Sequence, residues 1–330
     1  MSDSLRVHEG VKHRMQKMRG QGIAAAGIRA ALTSSLFLGL APVFGKLAIN
    51  LGLPPLFVVA TRTVLAAVLL FVFILIWRRQ FLFIYPAGLL GCILAGWLNG
   101  MGSLLYYSAL GRIDASLGQV IYCLYPLFVT LWLWLDQQRP SQLTIVRLLI
   151  LAPALILLIA GNSHSIDILG IVMMLGASAL YALHLPVNQR VLYDMPAPTV
   201  TMYTLIAMSA TVMPAFFFVS FKNHPGTNSL FAILGVTLVT FFARLTLFMG
   251  VKHLGGMQTA LLGLGELLVT LLFSRVILHE YLNTYQWAGV VLLVASLAMV
   301  KFEKPPKHWQ SGGGGWLSWL RPPGLPPDLP

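Results

Sequence analysis

The sequence predicts an all-α membrane protein whose ten transmembrane helices form two inverted five-helix repeats. Three observations lead to this fold class. Of the 330 residues, 57% are hydrophobic and only 10% are charged, whereas about 25% of the residues of an ordinary soluble domain are charged. Apolar runs long enough to cross about 30 Å of hydrocarbon recur along the whole chain. Two parts of the chain also resemble each other.

The predicted spans follow one another with short connections. Their approximate bounds are 30–50, 55–77, 84–108, 115–135, 142–160, 166–190, 197–221, 229–250, 256–278 and 284–301. The first apolar run is too long for the core of a signal peptide, so we expect an uncleaved first helix. The end of the chain is rich in Pro and Gly, which predicts a flexible tail. The expected organisation is a basic tail (1–29), two repeats (30–161 and 162–302) and a C-terminal tail (303–330).

The positions of Lys and Arg predict the orientation, because cations near span ends are retained on the cytoplasmic side. With ten spans and a cytoplasmic N-terminus, the outer loops hold only Arg112 and Lys222. The inner segments hold the basic residues of both tails together with Arg78, Arg79, Arg139, Arg190 and Lys252. Both termini are therefore predicted to be cytoplasmic, in the inner or plasma membrane of the cell.

The net charge of +12 does not indicate nucleic-acid binding. Nine of the 22 Lys and Arg residues lie in the two tails, and no basic stripe is interleaved with aromatic residues. Membrane lipid headgroups are the expected partners of these cations.

An internal repeat connects the two halves of the chain. FLGLAPVFGKLAIN (37–50) aligns with YALHLPVNQRVLYD (181–194), pairing Pro42 with Pro186 at a spacing of 144 residues. The segments ALGRIDAS and GVKHLGGM align at a spacing of 141 residues. Five spans per copy is an odd number, so the second copy enters the membrane in the opposite direction. Inverted repeats recur in secondary transporters, whose site lies near the midplane where the copies meet.

Several segments resemble the EamA-type members of the drug/metabolite transporter superfamily. The closing segment of that family resembles HEYLNTYQWAGVVLLVASLAMV of this chain. In the family, a Glu is followed nine residues later by a Gly that opens the last helix; here these residues are Glu280 and Gly289. YYSALGRIDASLGQVIYCLYPLFVTLWLWL resembles the third-to-fourth-helix segment, with Pro126 in the fourth helix, and Arg62 matches an Arg often found in the second. The resemblance spans about residues 30–302. It implies a ten-helix carrier that moves small metabolites, commonly outward.

Two positions depart from the family pattern. Leu267 follows Glu266 where the family often has Pro, and Arg139 stands where the first copy often carries Glu.

Glu266 is the predicted centre of the site. It lies about ten residues from the inner end of the ninth span, or roughly 15 Å, which is the membrane midplane. Carboxylates at this depth tend to face a cavity or a partner. At 100° per residue, small and polar side chains gather on one face of this span: Gly256, Thr259, Gly263, Glu266, Thr270 and Ser274. Such a face is expected to point into protein or water.

Three roles for Glu266 remain open from the sequence. It can exchange a coupling proton with the solution, pair with a cationic small-molecule substrate, or pair with Arg244, which lies at a similar depth in the eighth span. A buried structural carboxyl group that allows close helix packing is the alternative to all three. Arg244 in turn can line a cavity or snorkel to the headgroups.

Further candidates for the transport route share faces of other spans. They are Asn99, Ser103 and Tyr106 in the third, Tyr122, Tyr125 and Trp132 in the fourth, and Tyr181, His184 and Asn188 in the sixth. Tyr125 occupies the place of Glu266 at the 141-residue spacing. An aromatic residue and an acid at symmetric positions suit an amphipathic or cationic solute, although ordinary helix packing also explains the aromatics, and a lone His is often a core residue. Lys46 and Arg62, toward the outer side, are candidate gates or headgroup anchors.

Transport is the function that these features favour. The sequence has no Gly-rich phosphate loop, zinc-ligand run or nucleophile motif, so we expect no cofactor, no metal and no ATP-driven step. A secondary-active exporter of an amino acid-like or amphipathic solute is therefore predicted. A membrane-embedded lipid-modifying enzyme and a non-transporting assembly or sensor protein are the alternatives.

The topology can be tested with reporter fusions. We expect a reporter fused after Lys301 to be cytoplasmic and one inserted near Lys222 to be external, because of the asymmetry of Lys and Arg. A C-terminus found outside the cell would remove the ten-span inverted-repeat arrangement.

Overall fold

The computed structural model describes residues 2–136, 140–160, 167–218, 227–279 and 283–302. Twelve α-helices are present in these residues: α1 (Ser2–Asn50), α2 (Pro55–Trp77), α3 (Pro86–Leu110), α4 (Ala115–Tyr122), α5 (Tyr125–Leu135), α6 (Gln142–Ala160), α7 (Ile168–Leu192), α8 (Ala197–Val212), α9 (Thr227–Leu254), α10 (Gly256–Gly263), α11 (Gly265–Phe273) and α12 (Thr284–Ala298). Arg139, Lys222, Glu280 and the predicted C-terminal tail 303–330 lie outside the described residues.

The prediction of an all-helical membrane protein is confirmed. Eight helical stretches of the described chain are long and apolar enough to cross a membrane: Ala25–Asn50, Pro55–Trp77, Pro86–Leu110, Ala115–Leu135, Ile168–Leu192, Ala197–Phe217, Ser229–Leu254 and Gly256–Leu278. The fifth and tenth predicted spans are also helical, as α6 and α12, but their apolar stretches Gln142–Ala154 and Trp287–Ser296 are shorter. The total of ten therefore stays a prediction.

The outer surface of the helices is apolar. Large side chains such as Phe217, Val291 and Leu149 are mostly exposed, Phe217 to 84%. Many exposed large apolar side chains are typical of a protein that faces lipid.

The two repeats pack on each other through an exchanged set of contacts. α1 packs along α9, and its counterpart α7 packs along α3, the counterpart of α9. In the same way α3 contacts α8 while α2 contacts α9, and α2 meets its own counterpart α8. The fifth elements, α6 and α12, pack on each other, where the Arg147 Nε donates to the Ser296 carbonyl at 3.1 Å.

The fourth and ninth spans are not continuous helices, contrary to the sequence-based expectation. The fourth is interrupted at Cys123 and Leu124 between α4 and α5, and the ninth at Leu264 between α10 and α11. Cys123 and Leu264 are separated by the 141 residues of the repeat spacing. A face drawn along the whole ninth span therefore crosses a break, and Ser274 begins a π-helical turn.

Different causes produce the two breaks. Pro126 has no N–H and its ring clashes with the carbonyl four residues earlier, which frees the carbonyl of Tyr122. That carbonyl accepts a hydrogen bond from Ser178 Oγ of α7 at 2.8 Å. In the second repeat Leu267 stands at the position of Pro126, and carbonyls next to the break accept hydrogen bonds from the first repeat instead.

Side chains of the first repeat donate hydrogen bonds to backbone carbonyls next to the break in the second repeat. Ser35 Oγ of α1 donates to the Leu262 carbonyl at 2.9 Å, and the Tyr125 hydroxyl of α5 donates to the Ala260 carbonyl at 3.0 Å. Each repeat thus supplies hydrogen-bond donors to the broken helix of the other. Lipid could not supply them.

An exposed ion pair joins the repeats at the predicted outer surface. Arg112 Nη1 lies 3.1 Å from Asp167 Oδ2, and Asp167 Oδ1 accepts the Gly170 N–H at the start of α7. The Gly170 N–H and, next, Arg112 lower the pKa of Asp167 from its ordinary value. This cap therefore stabilises the fold at neutral pH, and its contribution is lost as the pH falls through the titration of the carboxyl group.

Close contact between α3 and α8 depends on Gly96. A Cβ atom there would lie 2.7 Å from the Thr204 carbonyl oxygen and 2.9 Å from the Met208 nitrogen, which are backbone atoms of α8. We expect Gly96→Ala to lower the free energy of unfolding by about 1–3 kcal/mol, measured by thermal unfolding in detergent. Gly22→Ala is the control, since nothing lies within 4 Å of its added Cβ. Equal melting temperatures for both variants would contradict this close packing.

Candidate functional site

A partly open cavity lies where the two repeats meet. Its unfilled space is about 450 Å³, counting the part that opens to solvent. Helices of both repeats contribute the side chains that line it: Leu38, Ala41, Arg62, Asn99, Gly102, Ser103, Tyr106, Tyr107, Gln119, Tyr122, Tyr181, Arg244 and Glu266. Two cations and one carboxyl group therefore face a common space.

Glu266 enters the cavity from the first turn of α11. It lies ten residues after the start of the Gly256–Leu278 stretch, or roughly 15 Å along the helix. Only 1% of the residue is exposed, and its Oε1 has no hydrogen-bond partner among the described residues. The side chains of Tyr125 and Gln119 lie beside the carboxyl group.

Contacts with α1 fix the position of α11. A Cβ atom at Gly39 would collide with the backbone carbonyl oxygen of Glu266 and with Val269, so the glycine lets the two helices approach closely. Thr270 Oγ1 donates to the Gly39 carbonyl at 2.8 Å. Thr270 thus holds the helix that carries Glu266, and it does not line the cavity.

Arg244 of α9 lies ten residues before the end of its helix, Leu254, at a depth close to that of Glu266. The structure records no ion pair between these two described residues. Arg244 Nη2 instead donates to Asn99 Oδ1 at 3.3 Å, and its guanidinium carbon lies 5.8 Å from the centre of the Tyr181 ring. The pairing with Glu266 that the sequence left open is therefore not observed, and Arg244 does not snorkel, since it is only 6% exposed.

Arg62 of α2 also faces the cavity. Its Nη1 donates to Thr240 Oγ1 at 3.0 Å and its Nη2 to Ser103 Oγ at 3.4 Å. The guanidinium carbon lies 4.5 Å above the Tyr107 ring. Arg62 is thus buried and bonded inside the protein, which argues against the headgroup anchor considered from the sequence.

Tyrosine rings form much of the cavity wall. The centres of the Tyr106 and Tyr122 rings are 4.9 Å apart, and those of Tyr122 and Tyr181 are 5.2 Å apart. The Tyr106 hydroxyl donates to Gln119 Oε1 at 2.8 Å. These contacts hold the rings in fixed orientations around the cavity.

Several predicted residues lie outside the lining. Tyr125 is buried behind it, edge-on to Tyr181 with ring centres 5.0 Å apart. His184 Nδ1 contacts the Tyr181 carbonyl within α7, and the centre of the His184 ring lies 6.4 Å from that of the Phe248 ring. Trp132 is half-buried in the apolar cluster around α5 and α7. The shared cavity expected for Tyr125 and Glu266 therefore has only Glu266 in its lining.

Lys46 bonds within the protein at the end of α3. Its Nζ donates to the carbonyls of Leu110 and Ile113 at 2.8 and 2.9 Å. Its repeat counterpart, Arg190, forms an ion pair with Asp136, with Nη2 and Oδ2 2.6 Å apart. Asp136 is fully buried and joins the first repeat to the second at the predicted inner side.

The sequence did not single out Gln119 and Tyr107. Gln119 lies one turn before Tyr122 on α4, so helical spacing from a candidate already named could have found it. Tyr107 neighbours Tyr106 on a different face of the third span, so the face that carried the candidates did not include it.

Comparisons with known proteins agree with this arrangement. A model of the EamA-like transporter family matches residues 25–160 and again residues 168–302. The uncharacterized transporter YcbK of Bacillus subtilis (strain 168) is 24% identical over 285 residues, which are 81% of this chain and 89% of the relative. A crystal structure described only as that of a protein superposes with a TM-score of 0.66 at 15% identity, over 84% of this chain and 97% of that chain. The last likeness bears on the fold alone.

The hydroxyl group of Tyr125 can be tested against a matched tyrosine. We expect Tyr125→Phe and Tyr203→Phe each to cost about 0.5–1.5 kcal/mol of stability, since each leaves a backbone carbonyl without its donor; the Tyr203 hydroxyl bonds the Leu82 carbonyl at 2.7 Å, outside the cavity lining. Only Tyr125→Phe should also reduce transport in liposomes, because this hydroxyl lies beside Glu266. Equal transport by both variants would show that Tyr125 is structural only.

Proposed function

We propose, since the chain belongs to the EamA-like transporter family, that it is a secondary-active carrier which moves a small organic metabolite outward by alternating access. The chain is a multi-pass membrane transporter and not an enzyme. The lipid-modifying enzyme and the assembly protein that the sequence left open are set aside on the same finding.

The observation that carries the proposal is the charged cavity between the repeats. Buried ionisable groups in a membrane protein are costly, and they tend to mark substrate or ion pathways. Here Arg62, Arg244 and Glu266 converge on one space between the repeats. A carrier needs such a central site, because the substrate must be reachable from either side in turn.

The exchanged packing of the repeats supports alternating access. When two similar halves enter the membrane in opposite directions, exchanging their conformations opens the opposite side of the same site. α1 contacts α9 just as its counterpart α7 contacts α3, so the two repeats could exchange these contacts during transport. We therefore propose ten spans in two inverted repeats, with α6 and α12 as the fifth and tenth and both termini in the cytoplasm.

Glu266 is proposed to couple transport to protons or to contact the solute directly. Its Oε1 lacks a partner among the described residues, and it stands apart from any ion pair with Arg244. A carboxyl group in such a place can take up a proton or accept a hydrogen bond from a solute at little structural cost. A buried carboxylate oxygen without a hydrogen-bond partner would be unusual in a residue that served only for packing.

Glu266→Gln tests this role. Gln keeps the volume and most of the hydrogen bonding of Glu but cannot ionise, so we expect almost unchanged expression and thermal stability and strongly reduced transport. The purified protein in liposomes is first screened for counterflow against radiolabelled amino acids and small organic acids. The variant is then compared with the wild type on the solute that the screen identifies, across a range of pH.

A second carboxyl-to-amide change provides the control. Asp167→Asn removes a carboxylate at the exposed start of α7 and should leave the transport rate and its pH dependence near those of the wild type. Wild-type transport by Glu266→Gln would sink the proposed role of Glu266. Loss of stability in Glu266→Gln, partly restored by adding Arg244→Leu, would instead reveal an ion pair in another conformation.

A further inference from the structure

The cavity holds two arginines that have no anionic partner in their recorded bonds. Arg62 bonds the hydroxyl groups of Thr240 and Ser103, and Arg244 bonds the amide oxygen of Asn99. All three partners are neutral. Arg190 shows the contrasting case of a structural arginine in this protein, since it is paired with the carboxylate of Asp136.

The two guanidinium groups lie close together. Thr240, which accepts from Arg62, is one helical turn before Arg244 on α9. Ser103, which also accepts from Arg62, is one turn after Asn99, the acceptor of Arg244, on α3. Side chains one turn apart on a helix are separated by about 5–6 Å. Both groups are therefore positioned to contact one small ligand.

Each group also retains an unused donor. Arg62 Nε and Arg244 Nη1 are buried and have no hydrogen-bond partner among the described residues. The hydroxyl group of Tyr107 is likewise buried without a partner among these residues. Buried donors without partners are rare in folded proteins and need an explanation. An oxygen-rich ligand would satisfy them, because the planar fork of a guanidinium group matches the geometry of carboxylate and phosphate groups.

The charges of the lining favour the same class of ligand. Arg62 and Arg244 bring two positive charges to the cavity, and Glu266 is the one acid in its lining. Even with Glu266 ionised, one positive charge remains uncompensated, and burying a charge without a counter-ion is unfavourable. The rings of Tyr106, Tyr122 and Tyr181 offer an apolar surface next to this charge.

We propose that Arg62 and Arg244 together form an oxyanion site, and that the solute is an organic anion whose carboxylate or phosphate group binds there while its apolar part lies on the tyrosines. The inference rests on the proposed function as a carrier, but it concerns the charge of the solute and not the act of transport. It replaces the cationic solute that the sequence left open.

Binding to the detergent-purified protein tests the charge preference. The probes share one phenylalkyl skeleton and differ in the polar group: hydrocinnamate, phenethyl phosphate, hydrocinnamide and phenylpropylamine. We expect one or both of the two anions to bind about tenfold or more tightly than the amide or the amine, read by calorimetry and by thermal shift. Comparing hydrocinnamate with phenethyl phosphate distinguishes a carboxylate site from a phosphate site.

Three variants make the test specific. Arg62→Gln and Arg244→Gln should each weaken binding of the preferred anion by about tenfold or more and leave the amide little changed. Arg147→Gln is the matched control, because Arg147 is equally buried but bonds Ser296 and Gln258 outside the cavity lining; it should keep the anion preference even if it melts earlier. Where a glutamine variant fails to fold, Arg62→Lys or Arg244→Lys replaces it. Lysine keeps the positive charge but lacks the planar donor fork of a guanidinium group, so each lysine variant should still weaken binding of the preferred anion.

The results separate this inference from the proposed function. Tighter binding of the amine, no binding of either anion, or an anion preference unchanged in both cavity variants would overturn the oxyanion site. Arginine-dependent anion binding without counterflow in liposomes would uphold the site and count against the carrier. Counterflow of cations alone would uphold the carrier and count against the site.

Discussion

Hydrogen bonds exchanged between the repeats at their broken helices set the geometry on which the cavity depends. A helix interrupted inside a membrane leaves backbone carbonyls that lipid cannot satisfy. Ser178 of the second repeat serves the carbonyl of Tyr122, while Ser35 and Tyr125 of the first serve those of Leu262 and Ala260. The break before α11 brings Glu266 into the first turn of a new helix. The same bonds that keep the breaks in place therefore position the carboxyl group.

The sequence predicted eight of the ten proposed spans and the presence of two related copies, which the structure and the family match bear out, because both depend on composition and spacing along one chain. The interruption of the ninth span was not predictable in this way. Pro126 marks the first break locally, but the second has Leu267 at the corresponding place and depends on side chains from distant helices. Arg62 was expected toward the outer side, as a gate or a headgroup anchor. It lines the cavity, where Thr240 and Ser103, on two other helices, accept its hydrogen bonds. Tertiary contacts of this kind leave no local pattern.

Buried charges are handled in two ways in this protein. Arg190 and Asp136 neutralise each other in a short pair with little exposure, which leaves no net charge for a solute to meet. Arg62 and Arg244 are held by neutral oxygen atoms and by the faces of tyrosine rings, so their charge is oriented without being cancelled. Hydrogen bonds to neutral groups fix a guanidinium group in space while its field still acts on whatever enters the cavity.

The unequal origin of the two breaks has a consequence for how mutations accumulate. The first break is encoded locally by Pro126, and Ser178 of the second repeat satisfies the carbonyl that this proline frees. The second is encoded at a distance, by Ser35 and Tyr125 of the other repeat, so a substitution at either donor acts on a helix more than a hundred residues away. The two copies therefore no longer respond alike to mutations in the other copy. Sequence drift in the first half is constrained by the second, and a hybrid that exchanges one half with a distant relative would inherit a helix without its supports.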